Sequence, residues 1–297
     1  MRLSRFQTAR DFLACAEGFL VAHEAEHNLL LGLCSLLSFK PDLYPSEPYF
    51  AAVQQDNEVI TAAMMTPPHQ LVLSLGDSRK ALHMLAHDAR QFRPDTPGVV
   101  GPTPVSLHFS EIWHTLTDTF HKSRAERIYK LKKVKPPARV SGQMRRATEA
   151  DRALLLEWIK QFQEEAFGEI DEAAAKRSVN SALTMPPDMR GVYLWEDTRP
   201  VALTGYSGPT PDGMRIGPVY TPPEFRRRGY ASALVAGVSQ YLLDTGRKFC
   251  FLFTDLANPT SNKIYMQIGY EPVCDVDEYK FAGAMPRPCW SAAPRAR

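Results

Sequence analysis

The chain has 297 residues, 44% of them apolar and 23% charged, proportions of an ordinary folded protein that exclude a disordered, collagen-like or low-complexity chain. At roughly 100–200 residues per domain the length favours two domains. Lys and Arg number 35 against 33 Asp and Glu, a net charge of +2, which argues against a protein that coats nucleic acid. Five cysteines at 15, 34, 250, 274 and 289 form no C-x-x-C, so a disulfide scaffold or a Cys-based zinc site is not expected, and reduced thiols in a cytoplasmic setting fit better. Arg10, Asp11 and Glu17 interrupt any signal-peptide plan. The most apolar run, Leu29 to Phe39, falls short of the about 20 residues that a spanning helix needs, so no membrane segment is expected.

In chain order, residues 9–38 carry apolar positions at helical spacing, Phe12, Phe19, Leu20 and Leu30 among them, until Pro41, Pro45 and Pro48 break the pattern. Strands are predicted at Tyr49–Gln54 and Glu58–Thr66 across an Asp56-Asn57 turn, then at Gln70–Leu75. Ser78 caps a predicted helix running to about Gln91. A strand at Gly98–Gly101, a helix from about Pro104 to Phe120 and a strand at Ala125–Leu131 complete the first half. Lys122 to Arg146 is the most basic stretch, with Glu126 its only acid. It reads either as a patch for a phosphate-bearing ligand or, preferably, as a solvated strand edge kept from pairing by its lysines. Residues 134–141, with Pro136-Pro137, form the linker.

The second half opens with a strand near Gln143–Arg146, followed by helices at about Ala150–Phe167 and Glu172–Leu183. Strands at Val192–Glu196 and Pro200–Ser207 form a hairpin across Asp197–Arg199. A strand at Met214–Tyr220, a helix from Gly229 to Asp244, a strand at Phe249–Thr254, a helix from Pro259 to Ile268 and a strand near Glu278–Phe281 follow. Residues 283–297 read as a frayed tail. Both halves repeat one order of elements without visible sequence repetition.

Chemistry concentrates where the strand ending at Tyr220 meets Pro222-Pro223. Neither proline has an N–H to extend a ladder. The turn then enters a helix whose first N–H groups and dipole form an anion site. Gly229 and Ala231 keep side chains out of the way, and Arg226, Arg227 and Arg228 add charge. This suits a pyrophosphate.

Arg226-Arg227-Arg228-Gly229-Tyr230-Ala231 resembles the Q/R-x-x-G-x-G/A signature of GNAT-type N-acetyltransferases. Asn258, Pro259, Ser261, Tyr265, Gly269 and Tyr270 are similar to that family's later segment, N-P-x-A/S-x-x-x-Y-x-x-x-G-F/Y. The resemblance covers residues 143–282. The first half lacks the glycine turn, so residues 1–135 are expected to be a degenerate copy. The fold class implied is α/β (α+β): two such domains in tandem, 1–135 and 142–282, each a mixed, mostly antiparallel sheet flanked by helices.

The resemblance implies acetyl-CoA as cosubstrate, held by Val219, Tyr220, Thr221, Arg226, Arg227, Arg228, Gly229, Tyr230, Ala231, Ser232, Asn258 and Tyr265. It implies direct attack of a primary amine on the thioester in a ternary complex. Backbone N–H groups around Val219, Tyr220 and Thr221 would stabilise the oxyanion, and Tyr265 would protonate the departing sulfur. From the residues alone, Asn258 is a helix cap and Tyr265 a core tyrosine. Glu196, Glu224 and Asp255 are base candidates by position, with none preferred. A catalytically silent acyl-CoA-binding or partner-binding module is the alternative. The acceptor, a small-molecule or peptide amine, would meet residues 160–190 and 205–213, whose acidic run (Glu164, Glu165, Glu169, Asp171, Glu172) reads first as a solvated helix face. For the first half three roles stay open: a wall of the acceptor cleft, a homodimer contact, or support of the fold. No nucleic-acid or membrane partner is expected.

A rival signal is His23-Glu24-Ala25-Glu26-His27, a literal H-E-x-x-H. It would make His23 and His27 zinc ligands and Glu24 the base. Glu47 could stand as third ligand by distance, but the prolines at 41, 45 and 48 break the helix that should carry it. The longer motif fails at Leu30 and Leu33. A polar helix face without metal is the expected reading. Cys250, in a strand with no neighbouring His, reads as a small buried hydrophobe.

Overall fold

A computed structural model describes residues 1–116 and 119–281. The expected tail and Cys289 lie outside the described residues. The strands are β1 (Arg2–Phe6), β2 (Tyr49–Gln55), β3 (Glu58–Met65), β4 (Leu71–Leu73), β5 (Gly98–Pro102), β6 (Phe120–Leu131), β7 (Gln143–Arg146), β8 (Arg190–Asp197), β9 (Arg199–Pro209), β10 (Gly213–Tyr220), β11 (Phe249–Asp255) and β12 (Glu271–Phe281). The α-helices are α1 (Ala9–Val21), α2 (Asn28–Phe39), α3 (Arg79–Phe92), α4 (Thr103–Leu116), α5 (Arg152–Phe167), α6 (Glu172–Thr184), α7 (Tyr230–Asp244) and α8 (Pro259–Ile268).

All twelve strands join one sheet, in the order β1-β2-β3-β4-β5-β12-β6-β11-β10-β9-β8-β7. Only β4 with β5 and β10 with β11 run parallel. Each half therefore repeats one plan: an antiparallel series ending in a short parallel pair. At the centre the halves interlock. β6 follows the first half in sequence yet bonds β11 of the second. β12 ends the second half yet bonds β5 of the first. The linker at 134–141 is coil between β6 and β7, but the sheet runs through without a break.

Strand alternation places apolar residues on both faces. Ala51 and Val53 of β2 pack with α3 and α4, and Phe50 and Ala52 with α1 and α2. In the second half Leu194 and Leu203 meet α5 and α6, whereas Tyr193 and Ala202 meet the core under α7 and α8. On β6, Ile128 shares the α1–α2 core and Tyr129 the α7 core. Thus α1, α2, α5 and α6 cover one face, and α3, α4, α7 and α8 the other.

Three expectations are corrected. The helix expected over 9–38 is two helices, because residues 22–27 form turns. β1, a five-residue strand beside β2, was not anticipated; its burial is partial and its sequence polar. The basic stretch is no sheet edge: β6 lies between β11 and β12. There its cations are engaged, Arg127 in a bidentate pair with Asp275 at 2.6 and 3.0 Å, Lys122 with Asp277 at 2.7 Å, and Arg124 on the Ala166 carbonyl at 2.8 Å.

The His-Glu-Ala-Glu-His segment fastens the halves. Both ring nitrogens of His27 hold backbone: Nδ1 bonds the Leu20 carbonyl at 2.9 Å and Nε2 accepts the Leu75 N–H at 2.9 Å. Burial pushes this imidazole down to about 4, so it stays neutral. Glu24 Oε1 accepts from the Thr210 hydroxyl and, at 2.8 Å, from the Asp212 N–H, both in the β9–β10 turn. With His27 spent on backbone and no helix through the segment, the motif does not present a zinc pair. Nearby, Gly32 of α2 lies against Gly208 of β9, and a Cβ at Gly32 would sit 2.6 Å from the Gly208 carbonyl oxygen. Gly32→Ala is expected to lower stability by about 1–3 kcal/mol, the usual cost of overpacking, measured by urea unfolding; an unchanged midpoint would mean the halves can slide apart freely.

Candidate active site

β10 and β11 pair only over Gly213–Arg215 and Phe249–Phe251. Beyond Arg215, β10 takes an extra residue against β9, where Ile216 faces Tyr206 but Val219 faces Thr204. Gly217-Pro218, a cis peptide, lies in this bulge. Such a bulge bends a strand and breaks its ladder. The two parallel strands part here, and the edge of β10 facing β11 is left without a partner strand.

Past Tyr220 a 3₁₀ turn at Pro223–Phe225 leads to α7. Arg227 and Gly229 both have positive φ, 62° and 83°. Such a conformation is rare for arginine and recurs at ligand-holding loops. Gly229 is the cap rather than the first residue of the helix, a small correction, and it offers no side-chain bond to the helix N–H groups. The first bond into the turn is Ala233 N–H to Gly229 carbonyl at 3.0 Å, so the N–H groups of Tyr230, Ala231 and Ser232 remain open, as helix geometry requires. The equivalent helix of the first half, α3, differs: Ser78 Oγ accepts the Ala81 N–H. The first-half N-terminus satisfies itself, and the second-half one does not.

The expected site residues divide into groups. Thr221 Oγ1 is buried and has no partner among the described residues. Open N–H groups, a capping glycine and this orphaned hydroxyl fit the diphosphate of a coenzyme. Arg227 and Arg228 are exposed beside them. Arg226 is instead drawn to Glu165 at 2.6 Å and to the Thr221 carbonyl at 2.8 Å, so it braces the loop against α5. The Tyr230 hydroxyl donates to Asp197 and fixes α7 to the β8–β9 hairpin. Tyr220 packs in the α5 core and donates to Gln161 at 2.9 Å, leaving only its backbone for the site. Val219 is part of the α7-side core. Asn258 caps α8, its Oδ1 accepting the Ser261 N–H at 3.0 Å.

Tyr265 stands apart from its neighbours. Four of the buried tyrosines bond their hydroxyls within the protein: Tyr49 to Asp88, Tyr129 to Asn262, Tyr206 to the Pro187 carbonyl and Tyr270 to Ser239. Among the described residues no hydrogen bond to the Tyr265 hydroxyl is found, and the residue as a whole is 8% exposed. Burial pushes its phenol up to about 12, so it stays protonated at neutral pH.

Two of the three expected bases are engaged. Glu196 is held by Arg145, which also grips Asp151 at 2.8 Å twice. Asp255 accepts the Ala257 N–H at 2.7 Å in a turn. Glu224 is exposed on the 3₁₀ turn. Three of the five acids of the acidic run are likewise occupied: Asp171 caps α6, Glu172 faces Lys160 and Lys176, and Glu165 holds Arg226.

A carboxylate not singled out as a base, Glu126, is better placed. It lies on β6 opposite Asp255 at the open end of β11, on the face that carries α2, α5 and α6. Its side chain is 20% exposed, with Arg124 at 3.9 Å. Burial pushes its carboxyl up to about 7; Glu278 and Asp255 add to the rise, and Arg124 and Arg215 oppose it. A solitary acid in a basic run was its only trace in the sequence, because its placement depends on β6 joining the second half.

This architecture decides the family resemblance at the level of fold. Residues 203–279, from β9 to β12, match the FR47-like protein family model. Over nearly its whole length the chain superimposes on a Drosophila protein of known structure (TM-score 0.69, 14% identity, 95% of this chain and 99% of that one). It likewise matches a GCN5-related N-acetyltransferase from Sphaerobacter thermophilus (0.58, 16%, 94% and 95%) and a tandem GNAT protein from the clavulanic acid biosynthesis pathway (0.57, 14%, 97% and 100%).

The chain has the tandem GNAT fold.

A comparison with curated proteins gives no match. Among the described residues no helix is long and apolar enough to cross a membrane. The GNAT fold places the β10–β11 fork, the open α7 N-terminus and Tyr265 in the second half. It places a helix capped by its own serine at the matching point of the first.

Proposed function

We propose that the second half is an acetyl-CoA-dependent N-acetyltransferase acting on a primary amine. The observation that carries this reading is the unpartnered hydroxyl of Tyr265, in a half whose phosphate-facing helix is also left uncapped. Tyr265 is 8% exposed, and its hydroxyl is not one of the buried unpartnered atoms, so it keeps access to solvent and can meet a ligand.

Coenzyme A supplies an acyl group activated as a thioester. The N–H groups of Tyr230, Ala231 and Ser232 hold the diphosphate, with Arg227 and Arg228 neutralising charge and Thr221 offering its hydroxyl. Backbone of the bulged strand around Val219 faces the fork and orients the reacting carbonyl. Glu126 takes the proton of the incoming ammonium, and the Tyr265 phenol gives one to the departing sulfur. Burial of both groups favours this division, since it keeps the phenol protonated and brings the carboxyl to the neutral range.

The test is thiol release from acetyl-CoA across a panel of primary amines. Turnover with at least one amine is the expected result. Tight coenzyme binding with no thiol release from any amine would favour a silent acyl-CoA-binding module.

A further inference from the structure

Two arginines on the α5–α6 face of the sheet, Arg190 and Arg215, have no ion pair among the described residues. Arg190 opens β8 and Arg215 is the last β10 residue paired to β11. Ser207 of β9 is the register partner of both, so the three residues form one row across three strands. Alternation puts the row on the α5–α6 face: Val192 and Leu194, in step with Arg190, pack under those helices, and Met214 and Ile216, out of step with Arg215, pack under α7. At about 4.8 Å per strand, the two Cα atoms stand roughly 10 Å apart. The register thus sets the two arginines on either side of the small Ser207.

The only hydrogen bond given to either guanidinium among the described residues is Arg190 Nη2 to Ser178 Oγ at 2.8 Å. Desolvation pulls Arg190 down to about 10 and lowers Arg215 too, and Arg215 adds to the fall at Arg190. Tyr44, from the loop after α2, faces both, and Glu126 faces Arg215. Like charges are thus gathered in a desolvated place with only Glu126 beside Arg215 to offset them, an arrangement that costs stability and that a further anion would relieve. A narrow cavity runs from Arg190 and Ser178 past Gly205 to Gly217 and Pro218. Of the row only Arg190 lines this cavity, which holds about 20 Å³ and reaches the bulge at Gly217 and Pro218.

We propose that Arg190 and Arg215, with the Ser207 hydroxyl between them, bind the carboxylate of the acceptor, so that the substrate is an amino carboxylate whose amine points to the β10 bulge. This rests on the acetyltransferase reading above and specifies its acceptor. Guanidinium forks match carboxylate geometry, and the apolar walls from Leu155, Ile159 and Val179 suit a compact acceptor better than a polycation. The acidic side chains Glu157, Glu164 and Glu224 border a separate cleft near Pro222.

The experiment compares amino carboxylates with their decarboxylated amines, glycine with methylamine and phenylalanine with phenethylamine, at equal free-base concentration. Thiol release reports kcat/KM. The expected result is a preference of about 100-fold for the carboxylate member. Arg190→Gln and Arg215→Gln are each expected to raise KM for the amino carboxylate by about 100-fold and leave KM for acetyl-CoA unchanged. Equal use of both members by the wild-type protein would overturn the proposal, and this arm needs no variant to fold. Equal kcat/KM for aminomethylphosphonate and glycine would overturn the carboxylate in favour of a phosphate group. If no amine releases thiol although coenzyme A binds, the acetyltransferase reading fails alone. Titration of N-acetylglycine into the coenzyme-saturated protein then decides the site: heat that vanishes in Arg215→Gln supports it, and no heat with the wild type overturns it.

Discussion

Replacing Glu126 with Gln is expected to lower kcat by about 10²–10⁴-fold, the range of general acid–base catalysis, and to remove a pH dependence centred near 7. The wild-type carboxyl, pushed up to about 7, can accept a proton only when ionised. Activity should therefore climb as pH rises towards 7 and level off above it. Glutamine cannot ionise, so the residual activity of the variant should lose this limb. Stability moves the other way. A carboxyl whose folded pKa exceeds its unfolded value binds more protons in the folded state, so its contribution is fully present below the unfolded pKa of about 4.3 and falls as pH rises towards 7. At pH 8, Glu126→Gln should be at least as stable as the wild type. A destabilised variant with an unshifted pH profile would make Glu126 a structural residue instead.

Tyr265→Phe is expected to cost a similar factor, about 10²–10⁴ in kcat, with the affinity for coenzyme A unchanged. The variant loses only a hydroxyl that bonds nothing among the described residues. Stability should therefore stay within about 0.5 kcal/mol, unlike Tyr270→Phe, which would strip Ser239 of its 2.9 Å partner. With the phenol pushed up to about 12, no falling limb from Tyr265 should be seen below pH 10. A variant as active as the wild type would remove Tyr265 from the chemistry and leave the sulfur to be protonated from solvent.

What the sequence disclosed follows the range of the interactions involved. The Asp56-Asn57 turn, the Ser78 cap and the Asn258-Pro259 start of α8 are local devices, each set by a few neighbouring residues, and stand where they were expected, whereas Gly229 proved one residue outside its helix, as the cap. The apolar alternation of β8 to β11 likewise fixed their faces, and the paired motifs pointed to the fork between β10 and β11. Long-range pairing left no such mark. Nothing near β6 or β12 tells that each crosses to the other half, so β6 looked like an edge and Glu126 like a stray acid. The Arg190–Ser207–Arg215 row depends on the registers of three strands, and no spacing in the chain predicts it. In the stretch from 22 to 27 a helical pattern concealed a turn, because His27, Glu24 and their partners at 75, 210 and 212 impose it from a distance. Arg226 matched the family signature by position, yet its charge is committed to Glu165.

The central claim is that the N–H groups opening α7 hold the diphosphate of coenzyme A. A crystal structure of the full chain with coenzyme A addresses it most directly. The account predicts diphosphate oxygens about 2.7–3.2 Å from the backbone nitrogens of Tyr230, Ala231 or Ser232, with the pantetheine arm running into the β10–β11 fork. Coenzyme bound elsewhere, or at the Ser78-capped helix of the first half, would contradict it.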